Sequence, residues 1–331
     1  MNSSHARCAV GIDFGGTNNK LALIDESGAL LARHRVATRD IARRDEWMSA
    51  VVAAIEAMSA TVGGDTPIML AGVGVGVPGF VDFARGYIHE LVNVPGWEGV
   101  PLAALLEEQL RVPVRVDNDV NVMALGECTY GAGRAHQHAV FLTLGTGIGG
   151  GLLINGQLYR GAYSMGGEIG HMTINLYDEP CPLGRGVLEQ YAGNRRIVER
   201  AQRYLEGGEQ SLLATRCDGD WTRLDPLMIE QAAEAGDALS IRVYDEVADC
   251  LAAALSSITY LLQPEAFIIG GGVGQSGPIL YDPLNRHLQT RLNPHFAKRV
   301  VVKKAALGND AGVLGGAALV FSGLKPPTSC R

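Results

Sequence analysis

The chain has 331 residues, enough for two domains that each bury a core, and its 47% hydrophobic and 19% charged content is globular, with no low-complexity tract. A formal net charge of −7, without a basic stripe or a helix-turn-helix ahead of the first strand, disfavours nucleic acid as a partner. The most apolar stretch, 68–81, is broken by Gly72, Gly74, Gly76 and Pro78 and is too short for a bilayer, the N-terminus lacks the order of a signal peptide, and six cysteines without a C-x-x-C pair suit reduced thiols. The expectation is a cytoplasmic protein with no membrane partner.

In chain order, an apolar run from Ala9 to Ile12, the turn Asp13-Phe-Gly-Gly-Thr-Asn-Asn-Lys20 and a second run from Leu21 to Ile24 predict strand, tight turn, strand. A turn at Glu26-Ser-Gly28 and a third strand, Ala29 to Val36, complete an antiparallel meander. Trp47, Met48, Val51, Val52, Ile55 and Met58 recur at helical spacing within Arg44 to Ala60, so a helix with one buried face follows, and strand Ile68 to Val77 returns to the sheet. After residue 138 the pattern recurs as strand Val140 to Leu144, glycine turn Gly145 to Gly151, strand Leu152 to Ile154, the turn Asn155-Gly156, then Leu158-Tyr159. Two domains of common architecture facing each other across a cleft are therefore expected. A long amphipathic helix, Ser240 to Leu262, stops at Gln263-Pro264. Strand Ala266 to Ile269 and a third glycine turn, Gly270 to Gly274, lead to a helix over Pro278 to Leu288, and small residues from Leu307 to Ala318 let a terminal helix pack closely.

Three constellations carry chemistry. The turns Asp13 to Thr17 and Gly145 to Gly149 leave peptide N–H groups uncovered, as backbone that cradles phosphate does. Asp13 suits Mg²⁺, directly or through water, against the plainer role of a turn-capping carboxylate. The run Val114-Arg-Val-Asp-Asn-Asp119 passes straight into a helix, Val120 to Glu127. Asp119, at the junction, is either an N-cap or a base that accepts the proton of an attacking hydroxyl, with Asn118 beside it to fix the same substrate. Glu168 and His171 share a face if Gly166 to His171 turns helically, and with Glu189 they suit the hydroxyls of a sugar.

Taken in order, GIDFGGTNNK, VPGFVD, DNDVNVMALGE, LGTGIGGG, GGEIGHM, LEQYAG and IIGGGVG resemble the ROK family, named for repressors, open reading frames and kinases, over nearly the whole chain from Ala9 to Val320. The resemblance implies an α/β fold of two actin-like, ribonuclease H-like lobes with a central cleft. Residues 1–119 plus 307–331 form the first lobe; residues 120–306 form the second, carrying much of the nucleotide site and the dimer surface of a homodimer. It implies that Asp13, Gly15, Gly16, Thr17, Thr146 and Gly147 face phosphates, and that Gly270, Gly271, Gly272 and Val273 approach the adenosine. Gly79, Asn93, Asn118, Asp119, Glu168, His171 and Glu189 are assigned to the sugar, with Asp119 as base.

The implied activity is ATP- and Mg²⁺-dependent phosphorylation of a hexose, with glucose at O6 first and N-acetylmannosamine, N-acetylglucosamine, mannose or fructose as alternatives. Polyphosphate is an alternative donor; a sugar-sensing regulator and a non-catalytic carbohydrate-binding protein are the alternatives of another class. One departure stands out. Most members follow GEIGH with a zinc segment, C-x-C-G-x-x-G-C-x-E, whereas here the stretch is Cys181-Pro-Leu-Gly-Arg-Gly-Val-Leu-Glu189, with Leu183 and Val187 where two cysteines would stand. With His171 and Cys181 as the remaining ligands, no structural zinc is expected, and the loop 173–188 is expected to be held by packing.

Overall fold

The computed structural model describes residues 7–15, 18–37, 44–63, 68–92 and 94–322. The described residues divide into two compact units, one made of those up to 135, 158–166 and those from 306 on, the other of 136–157 and 167–305.

The chain opens with β1 (Arg7–Phe14), β2 (Asn18–Asp25) and β3 (Leu30–Ala37), the predicted antiparallel meander. Helix α1 (Arg44–Gly63) and strand β4 (Met69–Val77) follow as predicted. A hairpin of β5 (Gly79–Asp82) and β6 (Tyr87–Leu91), helix α2 (Leu102–Leu110), strand β7 (Val114–Asn118) and helix α3 (Asp119–Tyr130) come next. The middle of the chain supplies β8 (Ala139–Leu144), β9 (Ile148–Ile154), β10 (Gln157–Tyr159) and a small hairpin, β11 (Pro180–Cys181) and β12 (Gly184–Arg185). Helices α4 (Glu189–Ala192), α5 (Asn194–Glu206), α6 (Leu212–Arg216), α7 (Pro226–Glu234) and α8 (Ala238–Leu262) precede β13 (Ala266–Gly270). Then come α9 (Gly271–Gly274), α10 (Pro278–Arg291), α11 (Pro294–Ala297), β14 (Val302–Lys304) and α12 (Ala311–Ser322).

The strand orders are β3-β2-β1-β4-β7 and β10-β9-β8-β13-β14. Each sheet is thus a meander extended by two parallel strands beside its first strand, and the two units are actin-like lobes of one plan. Strand β9 begins at Ile148, inside the run expected to be all turn, because antiparallel pairing of Thr143 with Gly149 draws the glycines into the ladder.

In the first unit, glycines set the layer spacing. A Cβ on Gly11 would lie 1.7 Å from the Val313 carbonyl oxygen, and one on Gly74 would lie 1.9 Å from that of Gly316, so α12 rests on β1 and β4 at backbone distance. On its other side α12 meets α3, where a Cβ on Gly315 would lie 1.8 Å from the Val122 oxygen. This contact packs α3 against α12 within the first unit. A helix this rich in glycine is a poor helix former by itself, and burial on both sides holds it. Across the sheet, α1 buries Trp47, Val51, Ile55 and Met58, and the rings of Phe14, Trp47 and Trp97 meet with centroids 5.2–5.4 Å apart.

In the second unit α8 buries Val243, Val247, Leu251, Leu255 and Ile258 beneath β13 and among α5, α7 and α10. Asp237 caps its start, and Gln263 ends it in the left-handed region at φ 46°. Among the described residues no helix is long and apolar enough to cross a membrane.

Candidate active site

In the first unit, strand register gathers the predicted residues at one edge. Asp13 pairs with Gly76, Gly76 with Asp117, and Val77 with Asn118. Asp13, Gly79 and the Asn118–Asp119 pair therefore lie together at the carboxyl ends of three neighbouring parallel strands, the end where open α/β sheets bind ligands. Gly15 follows β1, and a Cβ there would lie 2.6 Å from the Asn18 oxygen, so the turn demands glycine. Gly16, Thr17 and Asn93 lie outside the described residues.

Asn118 turns out to be the N-cap of α3. Its Oδ1 accepts from the backbone N–H groups of Val120 at 2.9 Å and Asn121 at 3.3 Å, while its Nδ2 donates to the Gly79 oxygen at 3.2 Å. Asp119 is the first helical residue instead, with Oδ1 accepting from the Val120 N–H at 2.9 Å, in the turn where a helix favours negative charge. Asp13 closes β1 opposite Lys20, whose Nζ lies 3.2 Å from Oδ2. Its carboxylate is the hard oxygen donor Mg²⁺ requires when phosphates and water supply the remaining ligands.

Beneath this edge lies a pair with no local signature in the sequence. Asp117 is buried, and its Oδ2 accepts from Arg160 Nε at 2.8 Å and faces Nη2 at 2.7 Å. Its Oδ1 accepts from the Asn118 N–H at 2.9 Å and the Asn121 amide at 3.3 Å. Arg160 also stacks 3.7 Å above the Phe83 ring. Burial pushes the Asp117 carboxyl up, and the Arg160 guanidinium is the strongest of the groups that pull it back.

In the second unit, β8 and β13 run parallel with Gly270 opposite Thr143, so the turns that follow each strand sit side by side. Gly271 has φ +82°, and a Cβ there would lie 2.3 Å from the Leu144 oxygen. Thr146, Gly147, Gly270, Gly271, Gly272 and Val273 are thereby brought to one end of one sheet. Glu189 reaches the same place: its Oε2 accepts from the Ile148 N–H at 2.7 Å. Glu168 and His171 flank a single 3₁₀ turn, Ile169–His171, with Oε2 and Nδ1 3.9 Å apart and both side chains half exposed. The turn is pressed onto β9, since a Cβ on Gly170 would lie 2.2 Å from the Ile148 oxygen.

The segment that carries zinc ligands in the family pattern is differently built. Val187 is buried, but Leu183 is 42% exposed at the tip of the β11–β12 hairpin, so packing replaces one lost thiolate position and not the other. Polar contacts supply the rest: the Tyr191 hydroxyl donates to Asp178 and accepts from Asn175 Nδ2, and Leu188 N–H donates to the Met172 oxygen. The Tyr191 hydrogen bond holds the Asp178 carboxyl below the usual range. Among the described residues no three His, Cys, Asp or Glu side chains gather as metal ligands would, and the donor set here does not fit zinc.

The family whose sequence profile matches is the ROK family, over residues 9–322. A glucokinase from Halalkalibacterium halodurans is 37% identical over 320 residues, 95% of each chain, and a glucokinase from Thermotoga maritima is 34% identical, covering 94% of this chain and 96% of that one. Among solved structures, a ROK family glucokinase from Streptomyces griseus in complex with glucose and AMPPNP superposes with a TM-score of 0.77 at 32% identity, over 95% of this chain and 99% of that chain.

Proposed function

The chain belongs to the ROK family and is an ATP-dependent sugar kinase, and on that premise we propose that its acceptor is O6 of glucose and its base is Asp119. The observation that carries the proposal is the division of labour at the start of α3. Asn118 takes over helix capping and is anchored to Gly79, which leaves the Asp119 carboxylate in a fixed place at the first turn. In the proposed reaction Asp119 accepts the proton of the sugar hydroxyl as its oxygen attacks the γ-phosphorus of ATP; the bond from that phosphorus to the β,γ-bridging oxygen breaks, and ADP leaves. Backbone N–H groups of the glycine turns at Gly15 and Thr146–Gly147 offset charge on the phosphates. Asp13 is the residue that would hold Mg²⁺, whose chemistry is neutralisation of phosphate charge. Glu168, His171 and Glu189 are assigned to sugar hydroxyls, and Gly270 to Val273 to the adenosine. A cytoplasmic homodimer that binds neither nucleic acid nor membrane accompanies this reading.

The test is ADP release over a panel of hexoses, N-acetylhexosamines and fructose, with ATP or polyphosphate as donor. Glucose with ATP should give the highest kcat/KM. Asp119→Asn should keep glucose binding and lower kcat by about a hundredfold or more. Turnover near wild type in that variant would remove Asp119 from the mechanism.

A further inference from the structure

Glu189 is assigned above to sugar, yet its carboxylate is attached to the second phosphate turn. Oε2 lies 2.7 Å from the Ile148 nitrogen, and a Cβ on Gly147 would come within 2.5 Å of the same oxygen, so residue 147 must be glycine for the carboxylate to reach. The backbone beside it grips the other end of the turn: Asn194 N–H donates to the Gly145 oxygen at 3.0 Å. The residue before Glu189, Leu188, is buried and bonded to the Met172 oxygen next to His171. The short stretch 188–194 is therefore tied on one side to the segment of Glu168 and His171 and on the other to the turn Gly145–Ile148, and Glu189 is the residue that spans it with its side chain.

We infer that Glu189 is a positioning residue for the Thr146–Gly147 phosphate turn, so that one carboxylate serves nucleotide and sugar together. The inference rests on the functional reading above. A carboxylate accepting from a backbone N–H is a charge-assisted bond, stronger than one between neutral groups. Removing it leaves the Ile148 N–H without its acceptor and lets the turn relax away from the shape that meets phosphate. Since Oε1 of the same group remains to accept from a sugar hydroxyl, ordering by one ligand lowers the cost of ordering for the other. Such coupling is reciprocal.

The experiment is calorimetry on the full chain, titrating a non-hydrolysable ATP analogue with Mg²⁺ in the absence of sugar, and glucose separately, for wild type, Glu189→Gln and Glu189→Ala. Glutamine keeps an oxygen for the Ile148 N–H; alanine does not. Glucose affinity should fall in both variants, whereas nucleotide affinity should fall about tenfold or more in Glu189→Ala and stay within about threefold of wild type in Glu189→Gln. A purely sugar-binding Glu189 leaves nucleotide affinity untouched in both, and a purely electrostatic effect, the loss of a negative charge beside phosphate, raises it equally in both; either result overturns the inference. If Glu189→Ala does not fold, Glu189→Asp, one methylene too short to reach Ile148, takes its place with the same expectation. Failure of the underlying functional reading is distinguishable, because wild type would then show no glucose-dependent ADP release whatever the affinity pattern.

Discussion

Replacing Arg160 by Met tests whether the buried pair beneath Asp119 organises the site. The side chain keeps its length, but Asp117, only 2% exposed, loses both donors to Oδ2 and retains those to Oδ1. Breaking a buried pair on one side costs about 3–5 kcal/mol, because the remaining charge stays desolvated. Arg160 is itself 18% exposed, so water reaches part of the pair and about 3 kcal/mol is the better figure. For a unit of this size that lowers Tm by roughly 6–12 °C. The loss should depend on pH with a definite sign. Without the guanidinium, burial is opposed only by the hydrogen bonds from Asn118 and Asn121, and it holds the folded-state pKa of Asp117 above the unfolded value of about 4. The stability this group contributes is then present below the unfolded pKa and lost as pH rises through the folded one, so the gap to wild type should widen between pH 4 and pH 8. Arg160→Met combined with Asp117→Asn removes the stranded charge and should recover most of the Tm. Thermal melts from pH 4 to 8 on wild type, both single variants and the double variant decide the matter. A Tm within about 2 °C of wild type at pH 7, or a double variant no better than Arg160→Met, refutes the reasoning.

Gly315→Ala adds a Cβ 1.8 Å from the Val122 oxygen, which side-chain rotation cannot relieve, so α12 and α3 must part; despite the better helix propensity of Ala, a net loss of about 1–3 kcal/mol is expected in urea denaturation, and a neutral result would mean the helices are not in backbone contact. Asp237 accepts from Ser211 Oγ, Leu212 N–H and both Ser240 donors; burial raises its carboxyl, but those bonds outweigh it and the net shift is downward. Its stabilisation is therefore present above the unfolded pKa and lost as pH falls through the folded one, and Asp237→Asn should cost about 1–2 kcal/mol at pH 7 but less below pH 4, as paired denaturation curves would show. Elemental analysis of tag-free protein should find no stoichiometric zinc, and activity should survive chelation once Mg²⁺ is returned; one zinc held per chain would reveal ligands that the hairpin at Cys181 does not display.

What was legible in the sequence was whatever depends on near neighbours. The meander, α1 and α8 follow from alternation and helical spacing, and the glycine turns follow from backbone that must stay bare. The helices between 194 and 234 carry a weaker local signal, and α5 shows why: its buried face contains Arg200 beside Ile197, Ala201 and Leu205, and the arginine is accommodated there by Glu246 of α8, so the apolar period is interrupted by a charge whose partner is remote. Arg160 is silent in the sequence for the same reason, since nothing near residue 160 announces a partner at 117. The segment DNDVNVMALGE makes the limit concrete. Its beginning could be read as cap or base from position alone, and the structure gives the cap to Asn118, with Asp119 as the first helical residue. Its end, Glu127, is buried and accepts from the N–H groups of Ala132, Ala306 and Leu307, fastening the exit of α3 to the backbone that leads into α12. A carboxylate that satisfies three backbone donors, two of them nearly 180 residues away, has no local signature. The presence of a fixed acid in the motif is visible in one dimension, whereas the amides it serves exist only once both ends of the first unit have met.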